Sequence, residues 1–329
     1  VTDPQVPATA SSTDVGPSVL RLTAFADGPG GGNPAGVVLD ARTLDDGQMQ
    51  QIAAEVGYAE TAFVADGAVG GDDRVVRTRY FSPIAEVPFC GHATIATAAA
   101  LAEARGPGAF RFETAVGPVV IETTQEAVAG GEGRLRASFT SVEPRMRPLD
   151  DAVADELLGL LGLVRDDVDP GWPVTEAFAG NWHPVVALRS LAVFDSFGFD
   201  PGPVRELMDR QGWSGTVTVV CTESVASAAG AGAGAVAAAA AAATRGAGTE
   251  VPAIEARNLF PVGDITEDPA TGSAAAALGA YVRAVGLLAP PAQFAVRQGR
   301  HVGRPSVLTV DVPATGGITV SGTAALIVE

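Results

Sequence analysis

The sequence predicts a strand-rich α/β (α+β) fold built as two similar lobes. Three observations predict it. Two distant stretches share one design, a Gly-punctuated loop running directly into an Ala-rich helix. Pro88-Phe89-Cys90-Gly91-His92-Ala93-Thr94 leads into Ile95–Ala104 and stops at Gly106-Pro107, and Glu267-Asp268-Pro269-Ala270-Thr271-Gly272-Ser273 leads into Ala274–Tyr281. The segments around them are mostly short alternating or β-branched runs, the pattern of strands. Finally, 329 residues that are 47% hydrophobic are enough for two cores of ordinary size.

The two loop-to-helix starts also carry chemistry. In the second, Ala274, Ala277, Leu278 and Tyr281 recur with the spacing of one helix face. Thr271 or Ser273 is placed to cap it, and Arg283 with Gly286 to end it. The first amides of a helix have no intrahelical acceptor and sit at its positive end, a ready site for a carboxylate, phosphate or enolate. One such start in each half points to helix N-termini facing a shared cleft.

Taken in order, residues 1–17 read as a Pro/Ser/Thr/Asp-rich tail. Strands are expected at Val19–Phe25 and Gly36–Leu39, around the Gly-rich loop Gly28–Pro34. That loop is not a dinucleotide fingerprint, because a strand follows it rather than a helix. Asp45 caps a helix with Met49, Ile52, Ala53 and Val56 on one face, closed by Gly57, and Glu60 follows at the mouth of a strand. Val76, Thr78 and Tyr80 mark the next strand, and Phe110–Thr114, Pro118–Glu122 and Arg134–Phe139 three more. A boundary is expected near Glu143–Leu149, giving lobes at about 18–145 and 146–329 with the last strand free to return to the first lobe. Asp150–Leu161 reads as an amphipathic helix, Val185–Leu188, Val217–Cys221 and Glu255–Phe260 as strands. Phe294–Val296, Val307–Val310, Ile318–Val320 and Ala324–Val328 complete the set. Ala226–Gly248 is an Ala/Gly tract without a patterned face, read as a surface insertion and not a membrane span.

Composition excludes several functions. The net charge is −17 and all 21 basic residues are arginine, so neither a Schiff-base lysine for pyridoxal phosphate nor a Walker A lysine exists. That acidity disfavours nucleic-acid binding. Cys90 and Cys221 form no CxxC pair, so a structural zinc site or disulfide framework is not expected, and His92, His183 and His301 show no metal-ligand spacing. No basic and apolar leader opens the sequence, so a cytoplasmic location is expected.

Five motifs occur in order: Gly32-Asn33-Pro34-Ala35, Glu60-Thr61-Ala62-Phe63-Val64, the Pro88–Thr94 loop, Asp268-Pro269-Ala270-Thr271-Gly272-Ser273-Ala274, and Gln298-Gly299 with Gly303-Arg304-Pro305-Ser306. Together they resemble the phenazine-biosynthesis PhzF-like family, within the diaminopimelate-epimerase fold superfamily, over about residues 18–329. The resemblance implies two pseudo-symmetric lobes, each a rolled mixed sheet around a central helix, with the site between them. It also implies a cofactor-free isomerase, usually a homodimer, acting on a small anionic metabolite. Carried over by motif, Glu60 matches the catalytic carboxylate that moves a proton from one carbon to another. His92, Asp268, Gly91, Gly272 and Ser273 match residues that hold the substrate around that transfer, with Asn33 and Thr271 as further candidates for lining the cleft.

Plainer roles compete at each position. Glu60 reads equally as a surface residue at a helix–strand junction, His92 and Asp268 as helix-start caps, and Asn33 as a holder of the Gly-rich turn. Cys90 resembles the first cysteine of the superfamily's two-thiol racemases, but the second loop has none, and Cys221 lies too far upstream to replace it. The alternatives to an isomerase using Glu60 are therefore an amino-acid epimerase, racemase or dehydratase that depends on Cys90, as a single thiol or as the acid opposite another base, or a catalytically silent small-molecule-binding protein. The default for Cys90 is a small apolar wall residue.

Overall fold

Seventeen strands and six helices are found among residues 17–126, 134–222, 252–262 and 265–327, which the computed structural model describes. The Ala/Gly tract and residues 1–16 of the expected tail lie outside the described residues.

The first half runs β1 (Leu20–Ala24), β2 (Asn33–Val38), α1 (Asp46–Val56), β3 (Glu60–Asp66), β4 (Val75–Phe81), β5 (Glu86–Val87), α2 (Gly91–Arg105), β6 (Gly108–Thr114), β7 (Gly117–Glu126) and β8 (Arg134–Thr140). The second runs β9 (Arg145–Pro148), α3 (Asp151–Leu160), β10 (Thr175–Phe178), β11 (Trp182–Leu188), α4 (Leu191–Ser196), α5 (Pro201–Gln211), β12 (Val217–Cys221), β13 (Ala253–Val262), β14 (Ile265–Asp268), α6 (Gly272–Ala284), β15 (Ala292–Gln298), β16 (Ser306–Val312) and β17 (Thr319–Leu326).

Strand pairing repeats between the halves. In the first, β1–β2 is antiparallel, β2–β3 parallel, β3–β4 and β4–β5 antiparallel, β4–β6 parallel, and β6–β7 and β7–β8 antiparallel. The same succession of directions links β10 through β17. In each half one long helix, α2 or α6, fills the crossover between the paired parallel strands. Strand β17 belongs to both sets. It pairs β16 on one side and β8 on the other, and its last residues pair β1, which closes a ring of β1, β2, β3, β4, β6, β7, β8 and β17. β9 in turn pairs β10.

Two helices are buried nearly all round. Every residue from His92 to Ala102 of α2 is buried, as are Gly272 and Ala274–Val282 of α6. The one-face pattern expected of α6 is therefore corrected: strands β9, β10, β11, β16 and β17 pack around it, and its alanines leave room for them. By contrast α1 matches its sequence signals closely. Asp45 and Gln48 form a reciprocal capping box, and Gly57 ends the helix in the left-handed conformation at φ 70°.

Within the boundary segment 143–149 lies strand β9, which pairs with β10 of the second set. Elsewhere expectations change. The two strands expected at Ile318–Val320 and Ala324–Val328 form the single strand β17, kept extended through Gly322 by partners along its length. Helices α4 and α5 and strand β10 went unread in the sequence.

Candidate active site

The site forms where the starts of α2 and α6 meet the ends of β3 and β14. Glu60 opens β3 three residues after the Gly57 stop, so the end of α1 delivers it to the top of the strand. Cys90 is the residue before α2 and His92 lies in its first turn. The Cys90 thiol donates to Glu60 Oε2 at 3.4 Å, His92 Nε2 lies 3.5 Å from the same oxygen, and Cys90 Sγ is 3.4 Å from His92 Nδ1. Cys90 therefore touches the polar centre of the site, which corrects its assignment as a merely apolar wall residue. Burial, followed by the Glu60 carboxylate, holds the thiol well above its ordinary pKa, so it stays protonated. Of this trio Glu60 is the most open to solvent, at 20% exposure against 8% for His92.

Asp268 closes the other side. Asn33 Nδ2 donates to its Oδ1 at 2.6 Å and the Thr271 hydroxyl donates to its Oδ2 at 2.5 Å. Despite these donors, burial pushes the carboxyl up to about 6, with His92 opposing the shift and Glu60 reinforcing it. Glu60 and His92 thus lie within electrostatic reach of Asp268, and the Asp268 carboxyl is poised to exchange a proton near neutral pH.

Neither hydroxyl expected to cap α6 does so. Thr271 occupies the cap position but spends its proton on Asp268, and Ser273 Oγ lies 3.1 Å from His183 Nε2. The first amides of α6 have no cap from these side chains and suit an anion. Gly91 and Gly272, each the first residue of its helix, bring backbone to the site without side-chain bulk.

A second layer fixes this arrangement, and much of it was unread in the sequence. Gln298 Nε2 donates to the Asp268 carbonyl at 2.5 Å and to Thr271 Oγ1 at 3.0 Å, while its Oε1 accepts from the Thr271 amide and from Asn258 Nδ2. Arg304 donates to the Gly32 carbonyl at 2.7 Å, pinning the loop before Asn33. Gly32 has φ +78°, and a Cβ there would lie 2.3 Å from Thr23 Oγ1, so the turn that aims Asn33 requires glycine. Gln298 and Arg304 had a signal in their motif, with no role attached. Asn258 and His183 had none. His301 bonds Asp195 apart from this cluster, and Cys221 is buried in the core around Leu157 and Phe194.

The repeated pairing aligns the two halves residue by residue. Phe81 pairs with Thr61 and Glu86, as Leu259 pairs with Val217 and Glu267. Counting along each strand puts Thr216 in the place of Glu60, Thr271 in that of Cys90, and Ser273 in that of His92. At these three positions one half carries a carboxylate, a thiol and an imidazole, whereas the other carries hydroxyls. A symmetric pair of thiols is ruled out on those grounds.

Glu60, Cys90 and His92 offer ligand atoms within 4.8 Å of one another, the spacing of a small metal site. The same three groups also lie within hydrogen-bonding reach of one another, as a proton relay requires. Among the described residues no helix is long and apolar enough to cross a membrane.

The model of the family described as phenazine biosynthesis-like protein, PhzC-PhzF, matches residues 22–329. An uncharacterized isomerase of Deinococcus radiodurans is 32% identical over 316 residues, covering 93% of this chain and 91% of the relative. A trans-2,3-dihydro-3-hydroxyanthranilate isomerase of Pseudomonas chlororaphis is 29% identical over 287 residues, covering 87% of each. The crystal structure of a PhzF-family phenazine biosynthesis protein of Bacillus anthracis superimposes with a TM-score of 0.72 at 25% identity, covering 94% of this chain and 96% of that one.

Proposed function

The chain belongs to the PhzC-PhzF family of phenazine biosynthesis-like proteins and is an isomerase of that family; on that premise we propose that it moves a proton between two carbons of a small carboxylate-bearing metabolite without a cofactor. Glu60 is the carrier. The observation that most supports this is the convergence of Glu60, His92 and Asp268 on one spot, with Glu60 the most open to solvent of the first pair. Glu60 takes the carbon-bound proton and returns it at the second carbon. Charge developing on the substrate is met by the starts of α2 and α6, with Gly91, Gly272 and Ser273 facing it. Asp268, held by Asn33 and Thr271, accepts a proton or pairs with an amine of the substrate, and His92 donates to a substrate oxygen.

On the same reading the repeated strand sets are two pseudo-symmetric lobes, each rolled around its central helix, with the substrate between them. The P. chlororaphis relative is named for a cyclic amino carboxylate, and small cyclic and amino carboxylates are the class to screen. Using Cys90 as the base is the weaker chemistry, since burial and Glu60 both hold it as a thiol.

The experiment is a screen of such carboxylates in D₂O, read by proton NMR for exchange at carbon. Glu60→Gln is expected to abolish exchange and turnover while ligand affinity changes by less than about threefold, because the amide keeps the shape but cannot take the proton. Turnover in Glu60→Gln equal to the parent would refute the assignment.

A further inference from the structure

We infer that His183 is a positioning residue, a neutral imidazole that donates its single proton to Ser273 and so commits the Ser273 hydroxyl to donate its own hydrogen to an oxygen of the ligand. This rests on the reading above only in taking Ser273 to face the ligand.

His183 sits in β11, fully buried, with its ring against the backbone of Gly215, where a Cβ would come within 2.4 Å of ring Cε1. That contact and the strand fix the ring plane. Ring Nε2 is 3.1 Å from Ser273 Oγ. Ring Nδ1 is 3.0 Å from the Thr216 amide nitrogen and also 3.0 Å from the Thr216 carbonyl oxygen. The two neighbours demand opposite tautomers. If Nδ1 carried the proton it would bond the carbonyl, and the Thr216 N–H would point at another N–H deep in the protein. If Nδ1 is bare, it accepts from that amide and the carbonyl loses the ring as a donor. An orphaned buried N–H is rarer in folded proteins than an under-used carbonyl, so the bare Nδ1 is the better state. The Thr216 hydroxyl, 3.1 Å from Nδ1, gives its proton to Asn258 Oδ1 at 2.8 Å and could only accept from the ring; it is already bonded through that proton, so a bare Nδ1 leaves it no orphan, whereas a protonated Nδ1 would orphan the Thr216 amide. Burial also pushes the imidazole down to about 4, which keeps it neutral near pH 7.

The consequence for specificity is direct. With the proton on Nε2, Ser273 Oγ accepts from His183 and its hydrogen is free to point elsewhere. At the start of α6 it joins backbone amides that are also donors. Every group this corner offers then donates, so the ligand atom it takes is a carboxylate or other anionic oxygen. The opposite tautomer would turn Ser273 into an acceptor suited to an ammonium. In the repeat, Ser273 stands where the other half has His92. His183 thus equips a hydroxyl for holding where the opposite half has an imidazole for chemistry.

The test is ¹⁵N NMR of the imidazole nitrogens of the full-length protein at pH 7, assigned by loss of the signals in His183→Gln. Expected are a proton-bearing Nε2 and a bare Nδ1. A proton on Nδ1, or on both nitrogens, would overturn the inference. A second readout is calorimetric binding of 2-aminobenzoate in a double-mutant cycle. His183→Leu is expected to weaken binding about tenfold in the parent and less than about twofold in Ser273→Ala, with His183→Gln, which keeps a donor, within about threefold of the parent. Equal losses in both backgrounds would show that His183 only supports the fold and would count against the inference. Absent carbon exchange with the Nε2-protonated tautomer intact would sink the catalytic proposal and spare this one. The reverse tautomer with exchange intact would do the opposite.

Discussion

At the residue scale, two buried titrating groups pull the stability of this protein in opposite directions over one pH range. Burial lifts Asp268 from 3.8 to about 6 and lowers His183 from 6.5 to about 4. For Asp268 the folded state binds the proton more tightly than the unfolded chain. That contribution is complete below pH 4 and is lost as pH rises through 6. For His183 the unfolded chain binds the proton more tightly, so its contribution is present above 6.5 and is lost as pH falls toward 4. The two act with opposite sign in the parent. Asp268→Asn removes one of them. The unfolding free energy of the variant minus that of the parent is therefore expected to grow with pH between 4 and 7, by at most about 3 kcal/mol. Urea titrations of both proteins at several pH values measure it, and a flat difference would mean that Asp268 titrates at its ordinary value. The same substitution is expected to lower turnover, because it removes an acceptor that Asn33 and Thr271 were arranged around.

At the scale of elements, the site is legible in the sequence where chemistry and local backbone signals coincide. Asp45 and Gln48 cap α1, Gly57 stops it, and Glu60 follows, so the position of the carboxylate can be read from a helix end. Both loop-to-helix starts could be read for the same reason. Helix α5 carries comparable signals in its Asp200 cap, its Pro201 and its Gly212 stop, and was missed because its apolar residues are sparse. What local pattern cannot carry is contact across the fold. Asn33 meets Asp268, and Gln298 reaches both Asp268 and Thr271, only because distant strands are brought together. Nor does any spacing bring His183 to Ser273. Gly299 shows how tightly that closure is built. It has φ +82°, and a Cβ would lie 2.3 Å from the Arg304 carbonyl oxygen and 2.6 Å from that of Pro269. Gly299→Ala is therefore expected to cost on the order of 2–3 kcal/mol. It should also raise KM, since Pro269 follows Asp268 directly. Melting and steady-state kinetics together check this, and a cost under about half a kcal/mol would mean the loop yields freely.

At the scale of the whole molecule, the repeat explains both the placement of the site and the way the chain should unfold. Two sets of strands repeat one pairing order, each with one long helix in its parallel crossover, and the starts of those helices lie beside Glu60, His92 and Asp268. The sequence half-revealed this, through the paired loop-to-helix starts, but the sharing of β17 has no local signature. That strand pairs β16 along Thr319–Ser321 and β8 along Thr319–Thr323, and then β1 at Ala324–Leu326. Because one strand carries hydrogen bonds to both sets, loss of either exposes an edge of the other, and the two are coupled. The parent is therefore expected to unfold in urea as one transition whether followed by tryptophan fluorescence or by far-UV circular dichroism. Trp172, Trp182 and Trp213 all lie in the second half, so fluorescence reports that half, while dichroism reports both. Truncation after Thr323 removes the pairing with β1 and opens the ring around α2, leaving β16 and β8 still paired to the remainder of β17. In that variant the dichroism transition should begin at lower urea than the fluorescence transition, as the first strand set loosens before the second. Coincident transitions in the truncated protein would mean that the two sets are coupled through the helix starts and not through the shared strand.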